Sequence, residues 1–259
     1  MTGRRAVVGG AGSGLGRASA ESLARAGMDL LLWSRGQDAL DELAADLRAA
    51  HGVTVHVVTA DAADPTAAQT VASAAEELLG GVDVCVLNAG GPPPCPPDRT
   101  DAAEWQRTFQ LLATTPIDLA TRLLPGMRER GYGRIVAVLS SGVREPLPEL
   151  CYSNSGRAAL TAWLKTVAGV VAADGVTVNG VLPGRIATPR VASLDKGRAQ
   201  RLGIEIGEVQ AQSEAGIPMH RYGTPDEFAA VVGFLGGESA SYVTGSFISC
   251  DGGMARSTL

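Results

Sequence analysis

Along its whole length the chain alternates between short runs of β-forming residues and longer, alanine-rich helical stretches. A strand followed by a helix and another strand forms a right-handed crossover between parallel strands. Repetition of this unit predicts an α/β fold with one doubly wound parallel sheet of about seven strands, flanked by helices. The predicted strands are Arg4–Gly9, Asp29–Ser34, Val53–Ala60, Val82–Leu87, Arg134–Leu139, Val176–Leu182 and Gly245–Ser249. The predicted helical segments are Leu15–Ala26, Gln37–Ala50, Pro65–Leu79, Ala102–Arg130, Cys151–Ala173 and Pro225–Leu235.

Two segments interrupt this alternation. Residues 90–100 contain five prolines, so we predict an irregular loop there. Residues 185–224 are polar and only partly helical. Because ligands of such sheets bind at the carboxyl ends of the strands, we expect this second segment to form a lid over a substrate site. The chain shows no internal repeat and no interdomain linker, so residues 1–259 are predicted to form a single domain.

The composition excludes several classes of partner. The chain has 259 residues, is 45% hydrophobic and carries a formal net charge of −5, which argues against electrostatic binding of nucleic acid. No apolar run approaches the roughly 18 residues of a membrane span. The apolar stretch after Arg5 is short and runs into glycines, unlike a signal peptide. We therefore expect neither nucleic acid nor a membrane to be a partner.

The cysteines and histidines favour a cytoplasmic protein without a catalytic metal. The four cysteines are too widely and irregularly spaced for a zinc site, and the three histidines form no pair at helical spacing. We therefore expect reduced thiols and no metal. These residues are Cys85, Cys95, Cys151, Cys250, His51, His56 and His220.

A glycine-rich turn joins the first predicted strand to the first helix. Gly10, Gly14 and Gly16 follow the spacing G-x-x-x-G-x-G, with Ser13 and Leu15 between them. Without side chains, the backbone can turn tightly and let a pyrophosphate approach the N–H groups at the helix N-terminus. A purely structural turn is the alternative, but its place after the first strand favours a dinucleotide site.

The end of the second strand bears on which dinucleotide binds. Ser34 and Arg35 stand where an acidic residue would bind the ribose hydroxyls of NAD. Arg35 is instead suited to a 2′-phosphate, so NADP(H) is the preferred cofactor and NAD(H) remains possible. Asp61, after the third strand, is placed to meet the adenine amino group. The alternatives are a solvated arginine at Arg35 and a turn or capping aspartate at Asp61.

Four motifs occur in the order typical of the short-chain dehydrogenase/reductase family and cover nearly the whole chain. They are Gly10-x-x-x-Gly14-x-Gly16, Asn88-Ala89-Gly90, Asn179-x-x-x-Pro183-Gly184-x-x-x-Thr188 and Asp251-Gly252-Gly253. The chain resembles this family, and within it the 3-oxoacyl-carrier-protein-reductase branch. The resemblance implies a single Rossmann-type sheet, with Asn88 and Gly90 flanking the cofactor. It also implies that the nicotinamide amide is held by Pro183, Gly184, Ile186 and Thr188.

The chain departs from the family at the catalytic motif, because it contains no Tyr-x-x-x-Lys. Aligned on the residues before and after this motif, the family serine falls on Ser140, and the tyrosine and lysine positions fall on Ser153 and Arg157. The family asparagine falls on Leu112. A serine is a far weaker acid than tyrosine. Arg157 can still bind ribose hydroxyls as part of the cofactor site, but it stays protonated and cannot relay a proton.

Tyr152 lies one residue before the tyrosine position and is an open candidate for the proton donor. If the helix has already begun there, the offset rotates the side chain by about 100° and away from the substrate. A local shift after Pro146 and Pro148 would instead aim it inward. A packing or surface role is the alternative for Tyr152, as a plain strand-end serine is for Ser140, with Ser141 as the fallback donor.

Asn154 completes a Ser-Asn-x-x-Arg pattern with Ser153 and Arg157. This pattern resembles a divergent branch of the family, as do residues 88–94 and 182–188. The resemblance implies that the substitutions belong to a subgroup. The alternative is that Asn154 and Arg157 only cap and brace their helix.

The sequence leaves three functions open. The first is an NADP(H)-dependent oxidoreductase acting on a small carbonyl or alcohol substrate with an atypical catalytic set. The second is a non-redox enzyme on the same fold, such as a dehydratase, isomerase or cyclase. The third is a catalytically silent cofactor-binding protein.

Arginines and long helices bear on the partners of the protein. Arg144, Arg185 and Arg190 are candidates to meet an acidic group of a substrate, although solvated surface charge is the simpler explanation for each of them. By resemblance, the helices over 102–130 and 151–173 are faces that pair in the dimers and tetramers of the family. A homo-oligomer, dimer or tetramer, is therefore expected.

Overall fold

A computed structural model describes residues 3–257. Seven parallel strands form one sheet in the spatial order β3-β2-β1-β4-β5-β6-β7. The change of direction between β1 and β4 makes the sheet doubly wound, which confirms the predicted fold class. The strands are β1 Arg5–Gly9, β2 Asp29–Ser34, β3 Val55–Thr59, β4 Val84–Leu87, β5 Gly133–Val138, β6 Val176–Pro183 and β7 Phe247–Cys250.

Nine α-helices connect these strands in the described part of the chain. They are α1 Gly14–Arg25, α2 Gln37–His51, α3 Ala67–Leu79, α4 Ala102–Phe109, α5 Thr115–Glu129, α6 Cys151–Val171, α7 Pro189–Leu202, α8 Ile206–Ala215 and α9 Pro225–Gly236.

Each face of the sheet packs against its own layer of helices. Alternate strand residues point to opposite faces, so Leu31 joins the cluster under α3, α5 and α6, while Leu30 and Leu32 join the cluster under α1, α2 and α9. The central strands are buried on both faces, as expected for a parallel sheet. Both cores consist mostly of valine, leucine and alanine side chains.

The prediction of a single helix over residues 102–130 is wrong in one respect. The structure divides it into α4, a π-helical turn at Gln110–Thr114, and α5. Pro116 has no N–H to donate to the carbonyl of Leu112, so the regular α-helical hydrogen bond cannot form there. The turn packs against α6, where a Cβ added to Gly156 would lie 3.1 Å from the Leu112 side chain.

The two irregular segments lie at the carboxyl edge of the sheet. The proline loop, residues 90–100, pairs with the chain before α6 through a bridge between Cys95 and Leu150. The segment predicted to form a lid, residues 185–224, holds α7 and α8, and its two ends are joined by a bridge between Ile186 and Gly223. Over residues 3–257 no helix is both long and apolar enough to cross a membrane.

Candidate cofactor and substrate cleft

A cleft of about 750 Å³ opens at the carboxyl edge of the sheet, beside β1 and β4, between which the strand order reverses. The glycine turn, the end of β2, the start of α6 and the lid all contribute to its wall. The cleft brings together most of the residues that the sequence singles out. Those lining it are Gly10, Ser13, Gly14, Leu15, Ser34, Arg35, Asp61, Asn88, Gly90, Ser140, Ser153, Arg157, Pro183, Gly184, Ile186 and Thr188.

The glycine turn has a backbone that side chains would not permit. Gly10 and Gly14 have φ angles of 59° and 54°, in the left-handed region. Gly16 is buried behind the turn, and a Cβ there would lie 2.2 Å from the carbonyl oxygen of Gly10. Asn88 fixes the turn to β4, because its Nδ2 donates to the Gly9 carbonyl at 3.0 Å. Gly16 therefore shapes the turn rather than lining the cleft.

The N-terminus of α1 faces the cleft with its first N–H groups uncapped by a side chain. Ser13 is the N-cap, yet its hydroxyl makes no capping hydrogen bond. Free N–H groups at a helix start favour an anion, and the close approach allowed by Gly14 suits a phosphate. These features fit the diphosphate of a dinucleotide.

At the end of β2, a cation stands beside a second uncapped helix start. Arg35 is exposed, lines the cleft and makes no ion pair within residues 3–257. Gly36 is the N-cap of α2 and leaves that helix without a side-chain cap. Asp61 lies across from them and accepts from the Ala63 N–H at 3.0 Å. Asp61 is thus a turn aspartate that also lines the cleft.

The opposite end of the cleft is built by the loop after β6. Gly184 packs against the turn at 251–253, where a Cβ would lie 2.7 Å from the Asp251 Cβ. Ala187 donates to the Gly223 carbonyl at 2.8 Å, which ties this loop to the far end of the lid. Thr188 is the N-cap of α7 and accepts from Val191 at 3.4 Å. The backbone of residues 183–188 is therefore fixed beside the cleft.

Ser140, Ser153 and Arg157 all line the cleft. Ser140 lies two residues after β5, and its Oγ accepts from the Gly142 N–H at 3.1 Å. Ser153 is 8% exposed, and its hydroxyl has no hydrogen-bond partner within residues 3–257. Arg157 lies one helical turn further along α6 and is 9% exposed. Its Nη1 donates to the Val138 carbonyl at 2.6 Å, which leaves its other N–H groups for the cleft.

Burial, with a smaller contribution from the charge of Arg190, lowers the pKa of Arg157 to about 10. The guanidinium therefore stays charged at neutral pH. No carboxylate lies against it in the described part of the cleft wall.

Tyr152 points away from the cleft, which corrects its candidacy as the proton donor. The helix has already begun at Cys151, so Tyr152 is rotated by about 100° from Ser153, onto another face of α6. Its side chain is 2% exposed, its ring packs edge-on against Trp105, and its hydroxyl accepts from the Asp101 N–H at 2.8 Å. Burial raises the pKa of the Tyr152 hydroxyl above its ordinary value, which makes it a weaker acid. The residue anchors α4 to α6.

The three arginines that the sequence suggests for binding an acidic group have different partners in the structure. Arg144 donates to the carbonyl of Phe247 at 2.8 Å and supports β7. Arg185 forms an ion pair with the buried Asp195 inside the lid. Arg190 alone reaches across the cleft, where its Nη2 donates to the Pro92 carbonyl at 2.6 Å.

Sequence reasoning missed two of the residues that α7 presents to the cleft. Leu194 and Arg198 line it together with Arg190. Leu194 and Arg198 follow Arg190 by four and eight residues, and residues at this spacing share one face of a helix. This spacing was the signal that could have identified them from the sequence. Outside the lid, Arg107 of α4 also lines the cleft. Within residues 3–257 no group of three or more acidic, histidine or cysteine side chains could hold a metal ion.

A Rossmann-type sheet with a cleft at its switch point is typical of dinucleotide-binding proteins. Residues 10–255 match the family model described as enoyl-(acyl carrier protein) reductase. The chain is 31% identical to the NADPH-dependent reductase BacG of Bacillus subtilis, over 99% of this chain and 100% of that protein. It is 29% identical to the 3-oxoacyl-[acyl-carrier-protein] reductase FabG of Aquifex aeolicus, with 98% of each chain covered. The chain belongs to the short-chain dehydrogenase/reductase family and is an oxidoreductase of that type.

Solved structures agree with this assignment. The chain superposes on the L-sorbose reductase of Gluconobacter frateurii, solved with NADPH and L-sorbose, with a TM-score of 0.94 and 33% identity. That match covers 99% of this chain and 98% of the other. The actinorhodin polyketide ketoreductase, solved with NADPH, gives a TM-score of 0.92 at 28% identity, with 98% of each chain covered.

Proposed function

We propose that the protein is an NADP(H)-dependent oxidoreductase acting on a small carbonyl or alcohol substrate with an atypical catalytic set. The observation that carries the proposal is the cleft, which is lined by the glycine turn, by the anchored loop after β6 and by the hydrogen-bond donors Ser140, Ser153 and Arg157. The NADPH-dependent relatives named above support the cofactor, and so does Arg35 at the end of β2.

The cofactor would lie along the cleft with its two ends held by different elements. The turn at Gly10–Gly16 and the start of α1 would bind the diphosphate, Ser34 and Arg35 the 2′-phosphate, and Asp61 the adenine. Asn88, Gly90 and Arg157 would flank the nicotinamide ribose. The loop residues Pro183, Gly184, Ile186 and Thr188 would hold the nicotinamide amide. When bound, NADPH supplies the hydride.

The protein's own groups would then stabilise the oxygen of the substrate. The hydroxyls of Ser140 and Ser153 can donate hydrogen bonds to a carbonyl oxygen that gains negative charge as the carbonyl carbon is reduced. Arg157 adds a fixed positive charge behind them in a poorly solvated site, where its effect is strong. Because neither serine is an acid of useful strength, the proton would come from water in the cleft. Catalysis would thus rest on electrostatic stabilisation rather than on a tyrosine acid.

The cofactor part of this proposal is tested by binding. The wild-type protein should bind NADPH at least tenfold more tightly than NADH in a fluorescence titration, because Arg35 forms a charge-assisted hydrogen bond with the 2′-phosphate. Arg35→Ala should remove most of that difference. Arg25→Ala, on the exposed last turn of α1, is the matched control and should keep it. Equal affinities for both cofactors in the wild-type protein would contradict the proposal.

The reaction is tested by following NADPH consumption with a panel of ketones and aldehydes. Oxidation of NADPH that depends on the carbonyl compound, with one alcohol formed per NADPH, supports the proposal. A protein that binds NADPH but consumes none with any member of the panel would contradict it.

We also propose that the protein is a cytoplasmic homo-oligomer with one domain. All four cysteines are unpaired, as expected for a reducing compartment. Exposed apolar side chains on α4, α6 and α9 favour a dimer or tetramer, among them Phe109, Val170 and Phe234. Light scattering on the purified protein measures this directly, and a monomer at micromolar concentration would contradict it.

A further inference from the structure

The substrate end of the cleft carries positive charge that the protein itself does not neutralise. Within residues 3–257 the only carboxylate in the cleft wall is Asp61, at the adenosine end. Arg35 lies at that same end, Arg185 is paired with Asp195, and Arg107 lies 4.0 Å from Glu104. Apart from Arg35, three arginines of the described wall have no carboxylate partner: Arg157, Arg190 and Arg198.

Arg190 is held in place rather than free in solvent. Its Nη2 donates to the Pro92 carbonyl, and the absence of a side chain at Gly91 makes room for it, since a Cβ there would lie 3.0 Å from Nη2. The guanidinium therefore spans from α7 to the proline loop. Partial burial lowers the pKa of Arg190, and its charge acts on Arg157 across the cleft. Two confined guanidiniums without a carboxylate favour the binding of an anion between them.

The surroundings of Arg190 are apolar on the substrate side. Leu194 follows it on the same face of α7, and Arg198 lies about 12 Å further along the helix. Leu147 and Leu150 also line the cleft. This part of the cleft therefore offers a subsite for an anion next to an apolar subsite.

We propose that the substrate is an oxo acid, a carbonyl compound that carries a carboxylate, and that Arg190 binds this carboxylate with Arg157 beside it. This proposal rests on the proposed function and names its substrate class. The carbonyl lies at Ser140 and Ser153, the carboxylate at Arg190, and the carbon chain against Leu194. Arg190 determines specificity and takes no part in the hydride or proton steps.

The anionic oxygens could also come from a phosphate of the cofactor. The cleft already provides for those groups elsewhere, because the glycine turn and the start of α1 serve the diphosphate and Arg35 serves the 2′-phosphate. The observations therefore favour a carboxylate of the substrate at Arg190. The experiment separates the two sources by measuring cofactor affinity and substrate preference in the same variants.

The test compares oxo acids with their methyl esters, which keep the carbonyl and lose the charge. The probes are levulinate, acetoacetate and benzoylformate, each paired with its methyl ester. For at least one pair, the wild-type protein should show a kcat/KM for the acid at least about tenfold above that for the ester, mostly through KM. Arg190→Gln should bring the two values together without changing the NADPH dissociation constant. Arg190→Lys should recover part of the preference, because it keeps the charge but not the planar pair of donors.

Arg25→Gln is the matched control and should keep the full preference for the acid. Equal kcat/KM values for acids and esters in the wild-type protein would overturn the proposal, while carbonyl reduction itself would stand. A loss of NADPH affinity in Arg190→Gln with an unchanged acid-to-ester ratio would also overturn it and assign Arg190 to a cofactor phosphate. Calorimetry with benzoylformate and its ester on the NADP⁺ complex measures the preference without turnover. Tighter binding of the ester there would overturn the proposal even if no probe is reduced.

Discussion

At the scale of single residues, the direction of a side chain on α6 decides which groups can meet a substrate. Ser153 and Arg157 are separated by four residues and share the face that lines the cleft. Tyr152 is one residue away, and its ring lies against Trp105 on another face. The most acidic hydroxyl near the cleft is therefore engaged in holding α4 to α6.

Tyr152→Phe should lower stability and leave turnover nearly unchanged. The change removes the acceptor of the Asp101 N–H, so the free energy of unfolding should fall by about 1 kcal/mol. Chemical denaturation measures this loss, and steady-state kinetics should show kcat within about twofold of the wild type. Ser153→Ala is the contrasting variant and should lower kcat by roughly a hundredfold with little effect on stability. A collapse of kcat in Tyr152→Phe at intact stability would restore the tyrosine as the acid.

The reduction should depend little on pH until Arg157 loses its proton. No histidine, lysine, tyrosine or cysteine lines the described cleft, so no wall group is expected to titrate between about pH 6 and 9. Burial, with the charge of Arg190, lowers the pKa of Arg157 to about 10, so its stabilising charge is present below that pH and is lost above it. The kcat for carbonyl reduction should therefore be flat and then fall near pH 10. A bell-shaped profile centred near neutral pH would indicate a different proton donor.

At the scale of secondary structure, the strands were predictable because burial on both faces leaves a clear apolar pattern. The predicted bounds of β2 agree with the structure, and those of β3 differ by two residues at its start and one at its end. The interruption between α4 and α5 escaped prediction because the alanine-rich pattern continues through Pro116. The direction of Tyr152 depended on where α6 begins, which periodicity does not resolve to one residue. Arg190 was identified, but its reach to Pro92 depends on a contact between segments 98 residues apart.

The glycine turn between β1 and α1 should tolerate no side chain at Gly16. Gly16→Ala would place a Cβ 2.2 Å from the Gly10 carbonyl oxygen and push the turn out of its phosphate-binding shape. The NADPH dissociation constant should rise by about tenfold or more, measured by fluorescence titration. Gly207→Ala, in α8 with no atom within 4 Å of the added Cβ, is the matched control and should bind normally. Unaltered NADPH affinity in Gly16→Ala would show that the turn does not hold the diphosphate.

At the scale of the whole molecule, the charge of the cleft wall is opposite in sign to the net charge of the chain. The chain has a net charge of −5, yet six arginines and one carboxylate line the described wall of the cleft. A cleft of one sign within a molecule of the other attracts anionic ligands and directs them inward. The charge of the cleft therefore suits an anionic cofactor at one end and an anionic substrate at the other.

The central claim is that Ser140, Ser153 and Arg157 surround the reactive end of a bound nicotinamide. The measurement that tests it most directly is a crystal structure of the complex with NADP⁺, which needs no knowledge of the substrate. We predict the two serine hydroxyls within hydrogen-bond reach of one point above the nicotinamide, Arg157 against its ribose, and Tyr152 still bonded to Asp101. A nicotinamide covered only by Leu112 and apolar groups, or a Tyr152 hydroxyl turned into the cleft, would contradict the account.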